Sequence, residues 1–234
     1  MSLGVISLCE ELQKHANPEK ARILQGFFKT GRGEYGEGDV FLGITVPQSR
    51  EIAKQFAHIE LNEVKKHLQS KIHEERLIAL LILVEKYKKS DDKKEIADFY
   101  LSNTKHINNW DLVDLSADRI LGGYLFDKDK KMLFELAESA NLWKRRIAIV
   151  STFNFIKQGR FDETLRIAEL LIKDKHDLIH KACGWMLREV GKRDEKVLKD
   201  FLKKNYKHMP RTMLRYAIER FPEEERKKYL TGTI

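Results

Sequence analysis

Residues 73–89 read HEERLIALLILVEKYKK and give the clearest indication of the fold. Within this stretch Leu77, Leu80, Leu81 and Val84 recur at intervals of three and four residues. Side chains with that spacing line one face of an α-helix. No segment of the chain sustains the two-residue alternation of apolar and polar residues that is typical of strands. The pattern therefore predicts a helical protein.

Comparable amphipathic helices recur along the chain at intervals of about 35 residues, which is the length of a helix pair with its turns. This spacing predicts an all-α fold, an α-solenoid (superhelix) of HEAT-like helical repeats. An irregular helical bundle is the alternative that the periodicity leaves open. The landmark segments begin at His73, Asn108, Leu142, Ile179 and Arg211.

In a solenoid one helix of each pair lines the concave side. If the landmark helices are these inner helices, their exposed side chains converge on one cationic groove that also contains aromatic rings. Such a surface suits a phosphate backbone whose sugars press against the rings. The residues that this reasoning places in the groove are Arg76, Trp110, Asp111, Asp114, Arg145, Arg146, Lys181, Trp185, Arg188, Arg211 and Arg215.

The composition indicates a folded, basic protein, with 42% hydrophobic residues, 34% charged residues and a formal net charge of +8. Excess positive charge favours a polyanionic partner, although a functionally silent lysine-rich surface fits the charge equally well. The two cysteines lie far apart, which indicates neither a disulfide framework nor metal-ligand spacing. The chain shows no targeting peptide and no apolar run long enough to span a membrane. We expect a cytoplasmic protein without membrane association.

One stretch interrupts the helical pattern. Residues 29–47, KTGRGEYGEGDVFLGITVP, place Gly31, Gly33, Gly36 and Gly38 in quick succession. This composition predicts a loop or a small hairpin between helices. The stretch lacks the glycine order of a dinucleotide-binding turn and the ending of a nucleotide-triphosphate loop. A surface loop is the simplest interpretation, and a contact with DNA phosphates is the alternative.

The segment NNWDLVDLSADRI holds the residues best suited to chemistry. Trp110 and Asp114 are four residues apart and therefore share a helix face, whereas Asp111 lies on a different side. Such an aspartate usually pairs with a nearby cation, and such a tryptophan usually fills a core. However, Trp110, Trp143 and Trp185 take corresponding places in successive landmark helices, which indicates either a functional repeat or a repeated packing residue.

A carboxylate beside indole rings suits the hydrolysis of an N-glycosidic bond. Positive charge builds on the deoxyribose as the base departs, and a carboxylate can stabilise that charge and orient a water molecule. Indole faces attract cationic sugars and bases. An alkylated base already carries charge and leaves readily, so that one aspartate could suffice. Zinc chemistry fits less well, because the i,i+4 pair His176 and His180 lacks the glutamate of a metalloprotease motif.

Four segments taken in order resemble the AlkD-like DNA alkylation repair glycosylase family with HEAT-like repeats: FLGITVPQSREIAK, NNWDLVDLSADRI, NLWKRRIAIVSTF and KACGWMLREVGK. The resemblance runs from Asn17 to Phe221. It implies a superhelix with a concave cationic groove and the excision of cationic bases such as 3-methyladenine and 7-methylguanine from duplex DNA. It further implies that the base is not drawn into a deep pocket, and that neither a metal nor a cofactor takes part.

The resemblance also implies roles for individual residues. Asp114 matches the catalytic aspartate of the family, and Trp110 and Trp185 match two aromatic residues that pack on the lesion nucleotide. Arg146 matches an arginine that grips the DNA backbone near the lesion. Phe27 falls where the family prototype has a tyrosine, so the hydroxyl group is lost at this position.

The glycine-rich stretch is a second departure, because residues 30–39 resemble an insertion found in relatives that bind branched DNA without glycosylase activity. We nevertheless expect a monomeric, single-domain DNA glycosylase spanning residues 1–234, which acts on double-stranded DNA containing alkylated bases. A non-catalytic module for branched or damaged DNA and a scaffold for an acidic protein are the alternatives. The candidate DNA contacts are Phe27, Arg76, Arg145, Lys181, Arg188, Arg211 and Arg215.

Overall fold

The computed structural model of the protein describes residues 7–234. Contacts between Cα atoms divide the chain into two compact units, Met1–Ser116 and Ala117–Ile234. Each unit consists of packed helices, and no strand occurs between residues 7 and 234. The predicted all-α class is therefore confirmed. The single domain and the concave groove stay predictions.

The helices of the first unit are α1 (Leu8–Lys14), α2 (Pro18–Phe27), α3 (Val46–Gln55), α4 (Leu61–Leu68), α5 (His73–Lys89), α6 (Lys93–Ser102), a 3-10 turn (Thr104–His106) and the short α7 (Trp110–Asp114).

Helix α5 forms the centre of the first unit. Every residue from His73 to Val84 is buried, since α3, α4, α6 and α7 all pack against this helix. A helix that is covered on all sides is apolar all round rather than along one stripe. The polar residues at its start, from His73 to Arg76, are buried too, and the site described below is built on them.

The glycine-rich stretch between α2 and α3 is an irregular loop, so the hairpin alternative is wrong. Gly36 approaches the backbone so closely that a Cβ atom there would lie 2.5 Å from the Phe28 carbonyl oxygen. The Gly36 N–H donates to the Lys29 carbonyl at 3.0 Å. Further along the loop, Val40 forms an isolated parallel bridge with Ile72, just before α5. These contacts tie the loop to the body of the unit.

The elements of the second unit are a π-helical segment (Asp118–Gly122), α8 (Gly123–Leu125), α9 (Lys131–Ala137), α10 (Leu142–Ser151), α11 (Phe153–Lys157), α12 (Asp162–Leu170), a 3-10 turn (Leu171–Lys173), α13 (Asp177–Gly191), α14 (Glu195–Asn205), α15 (Arg211–Ala217) and α16 (Glu223–Thr231).

Helix α13 is the centre of the second unit, where it packs against α10, α12, α14 and α15. Its contact with α15 is close because Gly184 lacks a side chain: a Cβ atom there would lie 2.5 Å from the Met213 carbonyl oxygen. Small residues allow helix backbones to approach one another in this way. The exposed start of α15 is thereby held against the core of the unit.

The landmark helices are confirmed, since α5, α10 and α15 begin at the predicted residues and α7 and α13 begin within two residues of them. The proposed equivalence of the three tryptophans is wrong. Trp110 and Trp143 lie in the first turns of α7 and α10, whereas Trp185 lies in the middle of α13. Trp143 is buried, while the other two indoles are half-buried. Within residues 7–234, no helix has both the length and the apolar character needed to cross a membrane.

We expect Gly43→Ala to lower the free energy of unfolding much more than Gly33→Ala. Both glycines have positive φ, 85° and 78°, so alanine at either site costs about 1–2 kcal/mol of backbone strain. At Gly43 the added Cβ would also lie 2.2 Å from the Asn17 carbonyl oxygen, whereas at Gly33 it would meet no atom within 4 Å. Urea denaturation of the two variants measures the difference, and equal losses would contradict the close approach at Gly43.

Candidate functional site

Helix α7 carries the aspartate and the tryptophan that the sequence selects. Asn109 begins this helix, with its side-chain oxygen accepting the Trp110 N–H at 2.8 Å. The helix is only five residues long, so it holds its orientation through tertiary contacts rather than through its own helix propensity. Trp110 and Asp114 are both half-buried and stand one turn apart.

Trp110 is the outermost ring of a stack that leads into the core of the first unit. Its indole lies parallel to the Phe28 ring, with centroids 5.1 Å apart and planes at 11°. Phe28 stacks on Phe41 at 5.0 Å, and Phe41 stacks on His73 at 4.5 Å. We call Trp110, Phe28, Phe41 and His73 the ring stack. Phe28 covers one face of the indole, so a ligand can meet Trp110 only through its other face or its edge.

His73, at the inner end of the ring stack, is held between two carboxylates. Its Nδ1 atom lies 3.1 Å from Asp39 Oδ2, and its Nε2 atom lies 2.7 Å from Asp111 Oδ2. Asp39 comes from the glycine-rich loop and Asp111 from α7. We call Asp39, His73 and Asp111 the acidic clamp. Because all three are buried, the clamp joins the loop, α5 and α7 inside the unit.

Two further side chains complete the surroundings of the acidic clamp. The Arg76 guanidinium lies 2.7 Å from Asp39 Oδ2 and donates to the Ser70 carbonyl, also at 2.7 Å. Asn108 donates its side-chain N–H to Asp39 Oδ1 at 3.2 Å. Asp39 therefore has several partners, and Asp111 is bonded to His73.

The acidic clamp keeps His73 protonated. Burial by itself lowers the pKa of the imidazole, but the negative charge of Asp111 and the hydrogen bonds to both carboxylates outweigh it and raise the pKa from 6.5 to about 9. Burial acts in the opposite sense on Asp39 and favours its neutral form, yet His73 and Arg76 hold the pKa of that carboxyl below its usual value. At neutral pH the clamp therefore contains an imidazolium between two carboxylates.

A cavity of about 440 Å³ opens beside the ring stack. Glu74, next to His73, lines the cavity. Its buried carboxylate accepts the backbone N–H groups of Leu42, Gly43 and Ile44 at 2.8–3.2 Å and so fixes the backbone that lines the cavity. On the rim, Ile23 is 64% exposed and belongs to α2, a helix without a buried residue. Residues that line the cavity include Ile23, Leu24, Phe27, Phe28, Phe41, Ile44, Val46, Pro47, His73, Leu77, Trp110 and Asp111.

Phe27 lies beside Trp110. Its ring stands at 77° to the indole with centroids 5.9 Å apart, and 62% of the residue is exposed. The two rings therefore form a corner with accessible aromatic surface on the Phe27 side. Aromatic surface of this kind can take a flat or cationic group, such as a charged base or a sugar.

The second unit contains the other two residues that the resemblance selects. Trp185 lies 5.7 Å from the Phe153 ring, with the two planes at 51°. The Lys157 ammonium group lies over the same Phe153 ring at 4.2 Å and pairs with the buried Asp118 at 2.6 Å. Trp185 thus belongs to a cluster of an indole, a phenyl ring and a cation.

The expectation that every groove candidate is exposed was wrong for Arg76, Asp111 and Arg146, which are 4–5% exposed. The burial of both charges is compensated by a charged partner, which is Asp39 for Arg76 and His73 for Asp111. Arg146 is buried in α10 and donates from Nη1 to the Leu178 carbonyl at 2.5 Å. Arg76 is therefore removed from the candidate DNA contacts, whereas the role of Arg146 stays a prediction.

The remaining predicted cations lie at least partly on the surface of the second unit. Three of them are ion-paired: Arg145 with Asp174, Lys181 with Asp177, and Arg188 with Glu219. Arg211 and Arg215 are exposed on α15. The Lys181–Asp177 pair is exposed and therefore weak in water, whereas Asp174, the partner of Arg145, is 5% exposed. All five side chains remain candidates for phosphate contacts.

The sequence did not reveal Asp39 and His73 as members of the site. His73 is 34 residues from Asp39 and 38 residues from Asp111, and no short motif links positions that far apart. The available signal was local: two acids and an arginine follow His73 at the start of an otherwise apolar helix, HEERLIALL. Charged residues at a helix end are usually solvated, so the sequence did not predict that these residues are buried.

Three side chains that can bind metals meet at another place in the first unit. The ligand atoms of Cys9, His67 and Glu75 lie within 4.8 Å of one another. Hydrogen bonds account for this arrangement, since Glu75 contacts His67 at 2.7 Å and also accepts from Ser70. Burial and the negative charge of Glu75 raise the pKa of the Cys9 thiol. We assign no metal to this group.

Comparisons with known proteins show the family and the fold of the chain. A family model described as DNA alkylation repair enzyme matches residues 8–221. No curated protein is significantly similar to the chain in sequence.

Two solved structures share the fold. A predicted DNA alkylation repair enzyme from Enterococcus faecalis is 17% identical, with a TM-score of 0.69 over 89% of this chain and 98% of its own. A protein from Streptococcus mutans named AlkD2 is 20% identical, with a TM-score of 0.57 over 93% of this chain and 100% of its own.

We expect the free energy of unfolding to decrease between pH 6.5 and pH 9, by more in the natural protein than in His73→Gln. The His73 pKa is raised from 6.5 to about 9 on folding, so its charge stabilises the folded state fully below pH 6.5. That contribution is lost as the pH rises through the folded pKa. Denaturant titrations at several pH values measure the effect. A difference between the two proteins that stays constant with pH would contradict a buried imidazolium.

Proposed function

Because the chain belongs to the DNA alkylation repair enzyme family, we propose that it is a monofunctional DNA glycosylase that hydrolyses the N-glycosidic bond of cationic alkylated bases in duplex DNA. A role in the repair of alkylated DNA, with DNA as partner, follows from the family. The proposal goes further in the reaction type, in the base class of 3-methyladenine and 7-methylguanine, and in the residues that act.

The observation that carries the proposal is the pairing of Asp114 with Trp110 on α7. Both side chains are half-buried, and their i,i+4 spacing places them on one face of the helix. The ring stack supports the indole from behind, and the acidic clamp ties the helix to α5. A carboxylate and an aromatic ring on a supported helix are consistent with a catalytic role, since small misplacements of reacting groups lower the rate.

The reaction needs little more than charge stabilisation. The bond between C1′ and the base nitrogen breaks, and its electron pair neutralises the positive charge of the base. The deoxyribose takes up that positive charge, which the Asp114 carboxylate stabilises. A water oxygen then bonds to C1′ and its proton passes to Asp114 or to solvent. Because the leaving base is already activated by alkylation, this scheme requires no general acid.

The other proposed residues bind the DNA. Trp110 contacts the lesion nucleotide through the surface that Phe28 leaves uncovered, with Phe27 beside it. In the second unit, Trp185 is the proposed second aromatic contact, and Arg146 is the proposed backbone contact. Arg145, Lys181, Arg188, Arg211 and Arg215 supply the positive charge that attracts phosphates.

We expect Asp114→Asn to reduce the single-turnover release of 7-methylguanine by at least about 100-fold, the usual cost of removing one stabiliser of transition-state charge. The affinity for duplex DNA should change little, because an amide replaces the carboxylate without a change of size. Base release is measured by chromatography and DNA affinity by fluorescence anisotropy, each on the same methylated duplex.

Asp98→Asn is the matched control for that experiment. Asp98 is an exposed aspartate on α6 that pairs with Lys94, so its amide variant should release the base at the rate of the parent. Equal rates for Asp114→Asn and the parent would disprove the catalytic role of Asp114. Tight binding to damaged or branched duplexes without base release by the parent would favour the non-catalytic alternative instead.

We expect Arg215→Ala to weaken DNA binding and to reduce the slope of log affinity against log salt concentration by about one counterion. Arg215 is exposed on α15, and its loss removes one phosphate contact. Arg166→Ala is the control, because Arg166 is an exposed arginine on α12 outside the proposed set. Titrations at several salt concentrations give the slopes, and an unchanged slope for Arg215→Ala would exclude it from the interface.

A further inference from the structure

We propose that His73 is a positioning residue, which sets the orientation of α7, and with it Trp110 and Asp114, through its hydrogen bond to Asp111. The consequence for catalysis depends on the glycosylase function proposed above. The consequence for the position of Trp110 does not depend on that function, and it can be measured without DNA.

The first argument is that α7 is short and that one of its side chains joins it to α5. A five-residue helix is too short to persist on its own. Asp111 is in its first turn, where Oδ1 accepts the Leu112 N–H at 2.8 Å and Oδ2 contacts His73 at 2.7 Å. One carboxylate therefore ties the start of α7 to the start of α5. A change at His73 acts directly on the residue next to Trp110.

The second argument is that His73 contacts Trp110 by another route as well. Its ring stacks on Phe41, Phe41 stacks on Phe28, and Phe28 stacks on the indole. His73 is thus connected to α7 in two ways. Packed rings link it to the Trp110 indole, and a hydrogen bond links it to Asp111, the residue after Trp110. Packed aromatic rings of this kind transmit a displacement because the interior is close-packed.

The third argument concerns the cost of the acidic clamp. Burying charges is unfavourable, and apolar packing of the same volume is often at least as stable. The ionic arrangement does, however, define direction: each imidazole nitrogen points at one carboxylate, from a different segment of the chain. A purely apolar side chain at His73 would fill the space without specifying where α7 sits.

His73→Gln and His73→Asn separate positioning from stability. A glutamine amide reaches the place of Nε2 and can still donate to Asp111, whereas an asparagine amide reaches the place of Nδ1 and can donate only toward Asp39. Both variants remove the positive charge and both should be less stable than the parent. Only His73→Asn should release α7, because Asp39 keeps Arg76 and Asn108 as partners in either variant.

The first measurement is the ¹⁵N–¹H spectrum of the indole groups in the full chain. The protein has three tryptophans, so three indole signals arise, and the Trp110 signal is assigned by Trp110→Phe. We expect the Trp110 signal to stay in place in His73→Gln and to shift or broaden in His73→Asn. The Trp185 signal should stay unchanged in both variants and serves as the internal control.

The second measurement is the single-turnover release of 7-methylguanine, with the DNA affinity recorded beside it. We expect His73→Asn to be about 100-fold slower, the cost of a reacting group misplaced by about 1 Å, while His73→Gln keeps most of the rate. The DNA affinity of both variants should remain that of the parent. The rescue by glutamine is an effect that a purely structural role of His73 would not produce.

Two outcomes would overturn the positioning role: equal displacement of the Trp110 signal with equal loss of rate in both variants, or loss of rate in His73→Asn with the Trp110 signal unmoved. A different outcome separates the two proposals. If the parent releases no base while the Trp110 signal responds as expected, then His73 positions α7 and the glycosylase function is wrong.

Discussion

A buried imidazolium between two carboxylates is the interaction on which the first unit's site depends. His73 lies 1% exposed between Asp39 and Asp111. The carboxylates belong to the glycine-rich loop and to α7. The loop has no regular secondary structure, and α7 is too short to be stable on its own. The electrostatic attraction inside a medium of low polarity compensates for the burial of the charges. It also gives the irregular loop and the short helix α7 a defined position on the long helix α5.

The glycine-rich loop is understood best as part of this arrangement. Its glycines allow the chain to pass close to the Phe28 backbone at Gly36 and close to Asn17 at Gly43. Between these two points the loop delivers Asp39 to the acidic clamp and Phe41 to the ring stack. Glu74 then holds the backbone after Phe41 with three hydrogen bonds. The loop is therefore a structural support for Trp110, whether or not it also contacts DNA.

The distribution of positive charge follows a simple physical division. Arginines that a helix directs into the core, such as Arg76 and Arg146, satisfy buried acids or carbonyl groups and organise the fold. Arginines on the exposed face of a helix, such as Arg211 at the start of α15 and Arg215 in its last turn, keep their charge at the surface. Exposed arginines of the second kind release counterions when they bind phosphates. Net charge alone does not distinguish these roles, because it counts both groups equally.

The sequence by itself determined the helical class, the starts of the landmark helices and the pairing of Trp110 with Asp114. These features follow from local spacing, since a period near 3.6 residues and an i,i+4 relation are properties of one helix. The tertiary structure decided which charged residues are buried, that Trp185 lies mid-helix in α13, and that His73 joins Asp39 to Asp111. Those contacts connect segments more than thirty residues apart. No local pattern encodes them, because burial and pairing depend on which helices pack together.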